Sequence, residues 1–185
     1  ERIKKVRAGG GVGGGSVPKP LAAATNGTAA APAAKPAAAA APAKKSAGGS
    51  ETVEVEFKFN APAKEVFECF TVPQKLMAYM QSRCEVGTAP GARLVLFDGS
   101  ITGETVSCTQ NEKLVWLWRQ SSWAEGKMST ATLTFDQTAP GTTVVKLVHT
   151  GVPSSDVHGN SNMKRVVEEG WKQNIFERIK AVFFY

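Results

Sequence analysis

The stretch MKRVVEEGWKQNIFERIKAVFF, Met163 to Phe184, decides the fold. Met163, Val167, Trp171, Ile175, Ile179 and Val182 recur at every third or fourth position, with Phe176 and Phe183 beside them. Lys164, Arg165, Glu168, Lys172 and Lys180 populate the other faces. This is the period of an amphipathic helix. At this length it runs about 33 Å, enough to cross a whole sheet. Its apolar stripe has to be buried against something.

The preceding sequence supplies the partner surface. From Cys84 to His149 the pattern is one of short strands: Arg93–Phe97, Ile101–Cys108, Lys113–Arg119, Met128–Phe135 and Thr143–His149. Asp98-Gly99 is a hairpin signal, because glycine accepts positive φ. Asn111, Ala124-Glu125-Gly126 and Pro140-Gly141 punctuate the rest. Connections this short force antiparallel neighbours, since a parallel crossover needs a dozen or more residues. Gly151-Val152-Pro153 is expected to stop the last strand. Further upstream, Val53, Val55, Phe57 and Phe59 alternate with Glu54, Glu56 and Lys58, the mark of a half-buried strand. Two short helices follow. Pro62 suits the first turn of one, with Val66, Phe67 and Phe70 as its stripe; the other spans about Pro73 to Met80, with Thr71 and Gln74 at capping-box spacing. Strand, two short helices, several strands and one long helix make an α+β helix-grip: a curved antiparallel sheet wrapped around a C-terminal helix.

The net charge of +6 first suggests a nucleic-acid or anionic-membrane partner. Its distribution removes that reading for the domain. Residues 1–50 hold eight of the 22 Lys and Arg and one of the 16 Asp and Glu, a net of +7; residues 51–185 carry −1. The first 50 residues are dominated by Ala, Gly and Pro and contain no Phe, Trp or Tyr. Such a segment buries too little apolar surface to offset the entropy of ordering it, so residues 1–50 are expected to be a disordered linker and residues 51–185 one domain. No apolar run reaches the ~18–20 residues of a membrane span, and the start ERIKKVRAGG has no signal-peptide pattern. Glu1 to Arg7 reads as the end of a helix from a preceding domain. Cys69, Cys84 and Cys108 form no CxxC, which suits reduced thiols in the cytoplasm.

Several motifs carry no chemistry. GGGVGGG, Gly9 to Gly15, contains a formal GxGxxG, but no strand leads in and no helix follows. The sequon Asn26-Gly27-Thr28 has no secretory context. Ser161 and Lys164 match SxxK without a partner motif, and Ser161 is expected to cap the long helix. His149 and His158 lack metal-ligand spacing, and His149 reads as a plain surface or half-buried residue at a strand end. No catalytic residue, metal or cofactor is expected.

The element order and four blocks resemble the C-terminal domain of the activator of the 90-kDa heat shock protein ATPase, within the START-like, birch-pollen-allergen-like superfamily. The blocks are APAKEVFECFTVPQKLMAYM (Ala61 to Met80), FDGSITGE with Gly103 (Phe97 to Glu104), EKLVWLWRQSSWAEGKMSTATLTF (Glu112 to Phe135), and His149 to Pro153 followed by Gly170-Trp171. DVHGNSNM, Asp156 to Met163, looks like an insertion, and the family's N-terminal domain is not in this sequence. The resemblance implies a cytoplasmic cochaperone module, expected to be monomeric. Such a module docks on the N-terminal ATPase domains of the 90-kDa chaperone and favours their closed, hydrolysis-competent state. The alternative is a carrier of a small apolar ligand in the sheet–helix groove. Trp and Arg are enriched in binding hot spots, so Trp118, Arg119, Trp123, Glu125 and Lys127 form the candidate partner patch. Trp116 and Trp118 share one strand face and can both be core; Trp123, beside a turn, is the residue whose exposure is open.

Overall fold

The computed structural model describes residues 49–185; the linker expected over residues 1–50 lies outside them, save Gly49 and Ser50. Strand β1 (Ser50–Phe59) leads into helices α1 (Ala63–Thr71) and α2 (Pro73–Met80). Strands β2 (Arg93–Leu96), β3 (Ile101–Thr109), β4 (Lys113–Gln120), β5 (Ser129–Ala139) and β6 (Thr142–Pro153) follow. The chain then enters one continuous helix: α3 (Met163–Glu169), a π-helical segment (Gly170–Phe176) and α4 (Glu177–Phe183). The sheet order is β1-β6-β5-β4-β3-β2, with every neighbouring pair antiparallel. β2 to β6 form a meander, and β1 closes the far edge by pairing Phe57 with Val145 and Phe59 with Thr143. This is the expected α+β helix-grip.

Local chemistry explains the joints. Thr143 Oγ1 donates to the Ala61 carbonyl at 2.7 Å, fixing the exit from β1. Gln137 Oε1 accepts the Ala63 N–H at 3.1 Å, satisfying one of the donors that a helix start leaves unpaired. Pro73 occupies the first turn of α2, whose N-cap is Val72 with no side-chain cap bond. The capping box expected at Thr71 and Gln74 is not formed. Thr71 still belongs to α1, and its hydroxyl donates to the Phe67 carbonyl at 3.1 Å. Lys75 ties the two short helices together through Glu65 at 2.9 Å and Glu68 at 2.8 Å.

Two glycines are demanded by geometry. A Cβ on Gly103 would lie 1.9 Å from the Leu117 carbonyl oxygen, so β3 reaches β4 only without a side chain. Gly151 sits at φ +81°, which lets β6 run on to Pro153 instead of ending there.

The grip is filled. Phe70 packs against Trp116, Phe135 and Phe176 with ring centroids 5.5–6.3 Å apart. Phe57 stacks on Phe176 at 5.3 Å, and Trp118 stacks on Trp171 at 5.1 Å. Trp116, Trp171, Phe59, Phe70 and Phe176 are fully buried. The helix stripe differs from the expected one in its last turn: Val182 is 38% exposed, while Phe183 is half-buried and meets the Tyr79 ring. Ile175 and Phe176 are both buried in the π-helical segment, and beyond it the inward face runs through Ile179 to Phe183 instead of Val182.

Candidate functional site

Three places on the domain hold the chemistry: the β4–β5 connection, a buried polar chain centred on His149, and a cleft beside the π-helical segment.

The β4–β5 connection carries the patch chosen from sequence. Arg119 bends back over it, its Nη2 donating to the Trp123 carbonyl at 2.7 Å. Trp123 N–H bonds Gln120 O at 3.0 Å and Lys127 N–H bonds Ala124 O at 3.1 Å, winding a tight turn in which Gly126 has φ +75°. Glu125 and Lys127 are exposed, and Arg119 is half-buried. Both tryptophans are withdrawn from the surface: Trp118 is 2% and Trp123 1% exposed. The exposure considered for Trp123 is therefore corrected. Its backbone lies in the turn, but a large apolar ring gains more from burial than an exposed turn position offers. Trp116 and Trp118 share the inner face, as the alternation implied.

The 156–163 segment packs beside this turn. Val157 N–H donates to the Ser122 carbonyl at 2.9 Å, and Asp156 holds the loop by accepting from His158 N–H, Asn160 N–H and Asn160 Nδ2. Ser161 is exposed and does not cap the helix; the N-cap is Asn162, at φ 78°, without a side-chain cap bond.

His149 is fully buried, against the expectation of a surface or half-buried residue. The signal was present in β6: Thr143, Val145, Leu147 and His149 alternate onto one face. Trp171 Nε1 donates to His149 Nδ1 at 3.0 Å, which places the imidazole proton on Nε2. Nε2–H then donates to Ser129 Oγ at 2.7 Å, and that hydroxyl donates to the Trp118 carbonyl at 3.3 Å. Burial pushes the imidazole pKa down to about 3. The pair has the spacing of a serine–histidine couple. Yet Ser129 is 2% exposed, and both hydroxyl and imidazole are already committed, so the arrangement is a satisfied core network.

The cleft has a volume of about 460 Å³. Its floor is Ile101, Trp118, Val167 and Ile175; Ser121, Ser122, Asn174 and Arg178 stand around it. It lies where the β2–β3 turn, the end of β4 and the helix converge, within the sheet–helix groove that the alternative reading named; which residues line it was not legible, because no local pattern encodes that meeting.

The cysteines are unpaired. Cys69 is buried, and burial pushes its thiol up to about 12, which leaves no thiolate at neutral pH.

Comparison with known proteins decides the family. The model of the family described as "Activator of Hsp90 ATPase homolog 1-like protein" matches residues 60–183, from the end of β1 to the end of the last helix. The chain belongs to this family. Within it, the activator of 90-kDa heat shock protein ATPase homolog of Dictyostelium discoideum is 32% identical over 136 residues, 74% of this chain and 34% of that one. The mouse homolog 2 is 32% identical over 124 residues, 67% of this chain and 35% of that one. The chain thus spans about a third of the length of these relatives. A crystal structure of an Hsp90 activator from Plasmodium falciparum superposes with a TM-score of 0.70 at 29% identity, covering 72% of this chain and 96% of that one. The family match runs through the β4–β5 turn, the cleft and the His149 network. Among the described residues no helix is long and apolar enough to cross a membrane.

Proposed function

We propose that residues 51–185 form a cochaperone module that binds the N-terminal ATPase domains of Hsp90 and favours their closed state. Residues 1–50 would act as its linker within a longer cytoplasmic protein. The observation that carries this reading is the family match over residues 60–183, from the end of β1 through the last helix, with relatives named as activators of the 90-kDa heat shock protein ATPase. Activation of this kind asks for no catalytic group in the activator. A module that binds the closed state better than the open one shifts the population towards it, and ~1.4 kcal/mol of preference moves the equilibrium about tenfold.

The contact surface includes Arg119, Glu125 and Lys127. Trp118 and Trp123 support the turn from beneath instead of meeting the partner directly. Arg119 is held by two carbonyls of the turn, at 2.7 and 3.4 Å, so its charge is presented in a fixed position. Pre-ordering of this kind lowers the entropy lost on binding.

The test is an NMR titration of the isotope-labelled chain with the Hsp90 N-terminal region, with and without a non-hydrolysable ATP analogue. Shifts should cluster on residues 119–127 and strengthen with the analogue. Absence of shifts at ~1 mM partner, a concentration that detects even millimolar affinity, would overturn the proposal.

A further inference from the structure

The two edges of the sheet are built differently. At β2, a strand of four residues, the backbone is covered: Glu85 and Val95 exchange two bonds of 2.8 Å, Asp98 N–H donates to the Arg83 carbonyl at 3.2 Å, and Arg83 N–H donates to Asp98 Oδ1 at 2.9 Å. At the other edge β1 has ten residues, none of them Pro or Gly, and pairs with β6 alone. Among the described residues, no backbone group outside β6 bonds to the backbone of residues 51–59. Such an edge is a template for another strand, and natural proteins blunt it with shortness, proline, a bulge, a cover or charge. The one bulge of β1 lies between Glu51 and Val53, which leaves Glu54 to Phe59 regular. Charge is then the remaining guard, and its arrangement decides which strand can dock.

Glu54, Glu56 and Lys58 stand exposed on the outer face, and none makes an ion pair among the described residues. Lys146, opposite Glu56 on β6, is held by Asp136 at 3.1 Å. In a two-fold antiparallel pair of identical strands, residues whose numbers sum to twice the central one lie opposite each other. Centring on 54, 55, 56 or 58 opposes like charges: Glu54 on Glu54, Glu54 on Glu56, Glu56 on Glu56, or Lys58 on Lys58. Centring on Phe57 sets Glu56 against Lys58 twice and opposes no like charges. The inner face agrees with that register. Val53, Val55 and Phe59 are buried, whereas Phe57 is only half-buried, and the same centre brings two Phe57 rings together. Opposite charges and aromatic rings facing across strands are the pairs that stabilise a sheet.

We propose that β1 is a self-association surface: two copies of this chain pair antiparallel along their β1 edges, with the two-fold at Phe57, and join their six-stranded sheets into one. This departs from the monomer that the resemblance implied. The charged β4–β5 surface belongs to other strands, and the pairing does not rest on the chaperone reading.

The experiment is sedimentation equilibrium of the full chain, as wild type and with Glu56→Lys or Lys58→Glu, both at exposed positions. The wild type should show a reversible monomer–dimer equilibrium between ~10 µM and ~1 mM. Each reversal opposes like charges twice and should weaken the dimer about tenfold. An equimolar mixture of the two variants sets two lysines of one chain against two glutamates of the other, and association should return to the wild-type level. In the wild type, hydrogen exchange at alternate amides of residues 54–60 should slow as concentration rises, while β2 stays unchanged. Four results would each overturn the proposal: a chain that stays monomeric to ~1 mM, an affinity that neither reversal moves, a mixture that associates no better than its components, or exchange on β1 that is independent of concentration.

Discussion

Protonation of His149 should unfold this domain from within, and the size of the effect can be worked out. In the folded state Nδ1 accepts from Trp171 and Nε2 donates to Ser129, so the neutral ring is fully satisfied. Adding a proton at Nδ1 would set two donors against each other in a site with no exposure. Its contacts, Ser129, Trp118 and Trp171, carry no charge to compensate. The folded-state pKa falls to about 3, whereas an unfolded chain holds the imidazole at 6.5. Between those values the unfolded state binds more protons, so stability falls as pH falls. The stabilisation is complete above the unfolded pKa and is lost progressively down to the folded one. At 1.36 kcal/mol per pKa unit, this group alone removes roughly 2–3 kcal/mol between pH 7.5 and 4.5, and on the order of 4–5 kcal/mol by pH 3. Against a typical stability of about 5–15 kcal/mol that is a large share.

The assay is urea unfolding followed by tryptophan fluorescence at pH 7.5, 6.0 and 4.5, on the wild type and His149→Gln. Glutamine can keep one acceptor and one donor in the site but does not titrate. The variant should be less stable at pH 7.5, and the gap should narrow by roughly 2–3 kcal/mol at pH 4.5. Taking the difference cancels the carboxylates, including Glu65 and Asp156, whose pKa values are lowered mainly by hydrogen bonds to Lys75 and Asn160 respectively. In a His158→Gln background His149 is the sole imidazole, and its NMR signal should stay fixed from pH 8 to 4.5. Parallel pH profiles for wild type and His149→Gln, or an imidazole midpoint near 6.5, would refute the reasoning.

Two further outcomes test the fold. Gly103→Ala places a methyl 1.9 Å from the Leu117 carbonyl and 2.8 Å from Trp118 Cα, so the β3–β4 pair must part; unfolding in urea should show a loss of about 3 kcal/mol or more. Gln137→Ala removes the acceptor for the first N–H of α1 and should cost about 1 kcal/mol, with faster hydrogen exchange at Ala63 and Val66 and little change in β6.

The architecture was legible because it rests on period and spacing. Strict alternation in β1 and the short turns between β2 and β6 are local features, and the antiparallel meander follows from them. The ends of elements were less legible. Thr71 and Gln74 have the spacing of a capping box, yet Thr71 bonds back to Phe67 because α1 continues through it. Ser161 has the composition of a cap, yet the chain enters the helix through Asn162 at positive φ. Gly151 looked like a stop, but its positive φ accommodates a bulge opposite Glu51 and Val53, and β6 continues past it. Only at Gly151 did a long-range pairing override a local propensity; at Thr71 and Ser161 the helix boundary itself falls one residue from where the cap composition put it.

The candidate site was harder to read, and the tryptophans show why. Sequence marks Trp118 and Trp123 as large and aromatic, which suits both a binding anchor and a core side chain. What decides between them is the partner surface, and here that surface is distant in sequence: Trp171 stacks on Trp118 from the helix, more than fifty residues later in the chain. The cleft depends on the same distant contact. A strict 3.6-residue period would carry the buried stripe from Ile175 to Val182. Instead Phe176 is buried beside Ile175, and beyond the π-helical segment the inward face runs through Ile179 to Phe183, while Gly170 and Asn174 line the cleft. Read in this light, Gly170 is informative. It is a residue of low helix propensity inside a long helix, in ordinary helical geometry, with open space where a side chain would go. Neither stability nor packing selects glycine there. What Gly170 does is leave the helix side of the cleft without a side chain, an effect that exists only once the end of β4 and the helix have met.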